Sequence, residues 1–220
     1  MALIASTSSN SDFEKAPAGS HLGRLYKIVD LGTQKVDWKG KFSMLHKVQF
    51  FFELHGEDAD GNPLVTKTDK KPLIQTKRYT ISLGEKATLR KDLESWRGKQ
   101  FTDEEAKGFD LSKLLGAWGM VTITHNDRDG KTYANLEAIT PVPNMIVKAG
   151  FPEPVNDLFL FSLDEFDQAK FDSLSEGLKK TIQESAEWRG THGEQPKVDE
   201  INSQLAKASL SDIDDDAIPF

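Results

Sequence analysis

The ten residues LHKVQFFFEL (Leu45–Leu54) constrain this chain more than any other segment. Val48, Phe50, Phe52 and Leu54 fall on one face of an extended strand, and Lys47, Gln49, Phe51 and Glu53 fall on the other. A strand so apolar on one side must bury that side against partners, while its second side carries charge and one aromatic ring. Four further segments read as such partners: GRLYKIVDL (Gly23–Leu31), KRYTISL (Lys77–Leu83), AWGMVTITH (Ala117–His125) and TYANLEAI (Thr132–Ile139). The last two are joined through Asp129-Gly130, a hairpin turn pair. Between the third and fourth strands the period changes. Glu85–Trp96 spaces Leu89, Leu93 and Trp96 on one helical stripe and stops at Gly98. Thr102 with Glu105 reads as a capping box, and Asp110–Leu115 as another short helical turn.

Three strands, a helical insert and two more strands predict a mainly β fold, a five-stranded OB barrel with its helix between strands three and four. A small SH3-like barrel has no insertion of about 30 residues at that place. Gly32–Ser43 reads as a polar, basic loop around Trp38, and Asp60-Gly61-Asn62-Pro63 as a turn inside Gly56–Thr76. Residues 1–20 read as a loose arm and 21–145 as the barrel domain. Residues 146–190 form a helical extension, with Val155–Leu163 apolar and Ser173-x-x-Glu176 opening its second helix, and 191–220 an acidic, disordered tail.

Charge divides along the same boundary. Residues 1–145 hold 21 Lys and Arg against 19 Asp and Glu, whereas 146–220 hold 7 against 16. A basic body with an acidic tail favours a polyanionic ligand on the first and an unligated second. The absence of cysteine removes disulfides, thiolate metal sites and cysteine nucleophiles. His21, His46, His55, His125 and His192 show no metal-ligand spacing, and neither a glycine-rich phosphate loop nor a Gly-x-Ser-x-Gly elbow occurs. The expectation is a binding protein without cofactor or metal, not an enzyme. No apolar run approaches the roughly 18–20 residues of a membrane span, and the N-terminus lacks the basic start of a signal peptide.

Single strands are held by a basic groove for the backbone and by aromatic faces for the bases. Trp38, Lys39 and Lys41 are candidates in the first loop; Lys47 and Phe51 lie on the outward face of strand two; Lys67, Lys70 and Lys71 form a basic loop. Arg78 and Tyr79 begin strand three on opposite faces, so one of them belongs to the barrel interior, and Tyr133 borders the last hairpin. Trp96, Phe101, Phe109 and Trp118 read as core.

The chain ends Asp214-Asp215-Asp216-Ala217-Ile218-Pro219-Phe220. An acidic run keeps such an end solvated, while Ile218, Pro219 and Phe220 offer two apolar anchors, a stiffening proline and a carboxylate to a basic-rimmed pocket. This tip resembles that of bacterial and phage single-stranded DNA-binding proteins, which ends Asp-Asp-Asp-Ile-Pro-Phe; here Ala217 is inserted. The body, over roughly residues 20–185, is similar to phage-encoded members with an OB domain, notably in LRKDLESWRGKQFTDEE (Leu89–Glu105) and KTYANLEAI (Lys131–Ile139). The resemblance implies sequence-independent binding of single-stranded DNA in phage replication, recombination and repair, in the cytoplasm of the infected bacterium. It also implies self-association into a homodimer or higher oligomer, and recruitment of a helicase, polymerase, nuclease or recombinase through the tip. The competing expectation is an OB-fold adaptor that carries the tip but binds no nucleic acid; a third is an RNA-binding OB protein.

Overall fold

A computed structural model describes residues 14–192 apart from Gly40. The tip residues Asp214–Asp216 and Ile218–Phe220 lie outside them. The chain is mainly β. Strands β1 (Gly19–Trp38), β2 (Lys41–His55), β3 (Ile74–Thr80), β4 (Trp118–Arg128) and β5 (Lys131–Thr140) form an antiparallel sheet in the order β3-β2-β1-β4-β5. A sixth, β6 (Phe159–Phe161), was not expected as a strand and lies parallel to Lys27–Val29 of β1. Helices α1 (Thr88–Arg97) and α2 (Asp103–Lys107) and a 3₁₀ turn at Leu111–Leu114 fill the connection from β3 to β4. Then come α3 (Asn144–Ala149), α4 (Gln168–Asp172), α5 (Glu176–Gln183) and α6 (Ala186–His192). Among the described residues no helix is long and apolar enough to cross a membrane.

β1 organises the sheet. Register shifts at Leu25/Lys27 and Asp30/Gly32 bend it, so β4 pairs with its first six residues and β6 with a segment beyond the first bulge. The edge strands β3 and β5 are joined by side chains: Gln75 Nε2 donates to the Ala134 carbonyl and Lys77 Nζ to that of Glu137, both at 3.1 Å. The alternation in β2 is confirmed, with Val48, Phe50, Phe52 and Leu54 buried among Leu25, Ile28, Val121 and Ile123. The predicted stripe Leu89, Leu93 and Trp96 brings α1 onto this core, and Trp96 Nε1 donates to the Trp118 carbonyl at 2.8 Å. The indole crosses directly over Gly119, where a Cβ would stand 2.5 Å from Nε1, so only glycine admits it. The capping box of α2 forms as read, Thr102 and Glu105 exchanging side-chain bonds to each other's backbone N–H. Asp129 and Gly130 both take positive φ in the β4–β5 turn.

A second apolar cluster lies on the outer side of β1, where Val29 and Leu31 meet Phe161, Phe171, Leu174, Leu178 and Ile182. Three carboxylates tie the extension to the sheet. Glu53, fully buried, accepts from the backbone and side-chain N–H groups of Asn156 at 2.8 and 2.7 Å and from Arg24 at 3.0 Å. Asp30 accepts from Leu163 N, and Glu187 from the backbone and hydroxyl of Thr33.

Several boundaries differ from the sequence reading. Gly32–Ser43 is no loop: β1 and β2 stay paired from Thr33↔His46 out to Trp38↔Lys41, making a two-stranded arm whose turn includes Lys39 with φ 52°. Polar composition masked the ladder, because an arm that projects beyond the core needs no apolar face to pair its backbone. The α5 cap is Ser175 rather than Ser173, whose hydroxyl instead donates to the Lys170 carbonyl. Residues 14–20 are fastened rather than loose, with Ala16 buried, its carbonyl accepting from His125, and Glu14 accepting from Lys67 N.

Candidate nucleic-acid interface

From Lys41 to Phe51 the odd-numbered residues of β2 form one strip on the face away from the sheet's core. Lys47, Gln49 and Phe51 stand opposite Thr80, Arg78 and Thr76 of β3, and Lys41, Ser43 and Leu45 continue the same face along the arm. From Lys41 to Phe51 the strip runs about 33 Å. Its centre is an open groove of about 800 Å³ bounded by Leu45, Lys47, Arg78 and Thr80, and closed at one side by Gly84–Leu89.

Two cations dominate that centre. Lys47 Nζ donates to Thr80 Oγ1 at 2.6 Å, and Arg78 donates twice to Gln49 Oε1 at 3.3 and 3.1 Å. Both partners are neutral, and among the described residues no carboxylate forms an ion pair with either. Burial, then the neighbouring Arg78 charge, pushes the Lys47 ammonium below its ordinary range; burial does the same to Arg78. The two cations thus lie close together without an ion-paired carboxylate, Glu85 standing on the groove's rim, and an incoming anion relieves their repulsion. Lys86 lies on the same groove, and α1 begins there at Ala87 with neither a side-chain cap nor an acidic residue in its first turn. Its free N–H groups add to the positive potential.

The other expected residues divide into three groups. Lys39 and Lys41 occupy the arm turn, further along β1 and β2 than the groove residue Leu45; the backbone of Trp38 pairs with Lys41, and its side chain lies outside the described part. Tyr133, 49 % exposed, precedes Ala134, whose carbonyl is bonded from Gln75, so it sits beside the start of β3 at the far end of the strip. Lys67, Lys70 and Lys71 belong to the long β2–β3 connection at that same far end; Lys71 pairs with Asp69 at 3.4 Å, and Glu14 clamps the Lys67 backbone. Lys67 and Lys70 border a separate hollow with Lys15 rather than the central groove.

Two aromatic candidates have packing roles. Tyr79 is 2 % exposed, meets Phe50 edge-on at 5.2 Å and donates its hydroxyl to Asp92 at 2.8 Å, so it is the interior member of the Arg78–Tyr79 pair and offers no face to a base. Burial, reinforced by the Asp92 charge, raises its phenol far above the ordinary range. Phe51 is half-buried beneath Lys27 Nζ, 5.2 Å from the ring centroid, and packs against the second cluster. Its outward position was read correctly, but the extension covers that outward face. Leu45, Gln49, Thr80 and Lys86 were missed. The alternation through Lys41–Leu45 could have shown the first; cross-strand register and the groove wall, which carry the others, exist only in the fold.

Each histidine whose side chain is described has a structural neighbour: His21 the Pro17 carbonyl, His46 Asp30, His55 Glu53 and His125 the Ala16 carbonyl. No protein-family model matches this chain, and no curated protein is detectably similar to it.

Proposed function

We propose that this protein binds single-stranded DNA along the β2–β3 strip without reading its sequence. The observation that carries the proposal is the Lys47–Arg78 pair, two adjacent cations in an open groove held only by neutral partners. Phosphates neutralise them, while Tyr133 and the arm turn supply contacts at the two ends. The sheet order, the helical insert after β3 and the side-chain links between β3 and β5 support an OB-type barrel, whose second and third strands are the usual binding face. On this reading, and on the resemblance of the tip, the protein coats DNA during phage replication, recombination and repair in the infected cell. It recruits replication proteins through Asp214–Asp216 and Ile218–Phe220, and has no catalytic role.

The test is fluorescence anisotropy of a labelled oligo-dT titrated with the full chain at low and moderate salt, beside a duplex and an oligo-U. Tight, salt-sensitive binding confined to oligo-dT supports the proposal. Equal binding of oligo-U moves the ligand class to RNA. Absence of binding at low salt refutes the groove's role and leaves an adaptor carrying a docking tip.

A further inference from the structure

The end of β3 carries opposite chemistry on its two faces. The strand stops at Thr80, and the chain runs on from there toward α1. Thr80, across from Lys47, belongs to the outward strip and its groove. Ile81 N still donates to the His46 carbonyl at 2.8 Å, so Ile81 takes the other face, the side of Val48 and Phe50. The core ends there, and Ile81 is 41 % exposed.

On that face lies an open hollow of about 240 Å³. Ile81, Leu83 and Leu89 line it together with Ala106, Phe109 and Leu111 of the connection that follows α1. Phe109 is held in place, meeting Phe101 edge-on at 5.2 Å with the Arg97 guanidinium 5.5 Å from its ring. The charged residue on the rim, Lys107, is a cation. Ser82 and Leu89 line both this hollow and the basic groove, so the two adjoin across a single chain segment.

A single strand presents phosphates on one side of its sugars and bases on the other, and binding it without regard to sequence requires a surface for the bases. The groove has none to offer. Among the described residues its only ring is that of Tyr79, 2 % exposed, and Phe51 further along the strip is packed against the extension. We infer that the hollow seats a base of the strand whose phosphates meet Lys47 and Arg78, an inference that rests on the groove being the phosphate path. A cavity of about 150 Å³ lined by Leu, Ile and Phe holds a benzene ring. This hollow is larger and similarly lined, with room for a purine or a pyrimidine. Its apolar walls take the face of any base, so the contact adds affinity without reading sequence.

The test compares binding of the full chain to a labelled oligo-dT and to a strand of equal length built of abasic deoxyribose phosphates. Both carry the same charge, and only the first has bases to seat. Two neutral substitutions act on the hollow. Ile81→Ser removes a partly exposed wall. Gly108→Phe adds a ring at the hollow's edge, where a Cβ meets nothing within 4 Å and the backbone is extended at φ −166°. Each variant should keep the parent's circular dichroism and bind oligo-dT about 5- to 150-fold more weakly, the worth of one base contact. The abasic strand should bind both variants as it binds the parent, and the salt slope should not change, because no phosphate contact is lost. Parental oligo-dT affinity in both variants overturns the inference and leaves the groove intact. Weakening toward both strands alike overturns it too, since no base is then involved. Equal affinity of the parent for the two strands also overturns it and leaves the hollow to an apolar protein side chain. A parent that binds neither strand at low salt refutes the groove itself, and the inference with it.

Discussion

Replacing Lys47 and Arg78 by glutamine together should separate DNA binding from folding. Each cation now bonds only to a neutral oxygen, Thr80 Oγ1 or Gln49 Oε1, and glutamine can keep a donor near both. Neither substitution strands a buried carboxylate. Because burial and the Arg78 charge already depress the Lys47 ammonium, removing both charges relieves repulsion, and the thermal midpoint should hold or rise slightly. DNA affinity behaves oppositely. Each phosphate neutralised on a single strand contributes about 0.7 to the slope of log K against log salt, so the double variant should flatten that slope by about 1.4. Across a tenfold rise in salt, the affinity gap between parent and variant then narrows by roughly 25-fold. Anisotropy titrations of oligo-dT at four salt concentrations measure this directly. Parallel slopes would refute the reasoning, since they would mean that neither cation meets a phosphate even if overall affinity fell. A lowered thermal midpoint would refute the claim that the pair is held without internal compensation.

Other expectations follow from the packing. Phe51→Ala should loosen the extension, raising amide exchange in Phe159–Phe161 and α5, while leaving the salt slope of DNA binding unchanged; a flattened slope without loosening would return Phe51 to the groove. Gly119→Ala forces a methyl against Trp96 Nε1 and Ile139, at 2.5 and 2.8 Å, and should cost about 1–3 kcal/mol in chemical denaturation. Acid should release the extension before the sheet. For Glu53, burial raises the carboxyl pKa, but bonds from Asn156 and Arg24, with His55 close by, outweigh it; for Glu187, burial is outweighed by Thr33. Both folded values therefore lie below the ordinary range, so their stabilisation is complete above the unfolded pKa near about 4.3 and disappears as pH falls through the lowered values. Trp188 fluorescence against pH reads the release, and Glu53→Gln should shift it toward neutral pH. An unshifted midpoint would remove Glu53 from the latch. Finally, the Tyr26 hydroxyl, held up to about 12 by burial and then by Glu53, should ionise late in an absorbance titration at high pH, and earlier in Glu53→Gln.

Much of this molecule was written in local pattern. Period-two alternation in Leu45–Leu54 determined which face of β2 is buried, the helical stripe of Leu89, Leu93 and Trp96 determined how α1 meets the sheet, and Thr102 with Glu105 determined where α2 starts, because each depends on neighbours within a few residues. The same alternation put Lys47 on the outward strip. What required the tertiary structure was everything set by partners distant in sequence. That Tyr79 turns inward and Arg78 outward follows from the β2–β3 register, which pairs Val48 with Tyr79 and Gln49 with Arg78. That Phe51 is covered follows from the extension folding back onto β1, a contact fastened by Glu53 and Asn156, 103 positions apart. The arm escaped notice because a ladder beyond the core needs only backbone hydrogen bonds, which leave no apolar signature. Side-chain period reports which face meets a core; which element covers that face, and which cations are left without a counterion, is decided only when the chain has closed on itself.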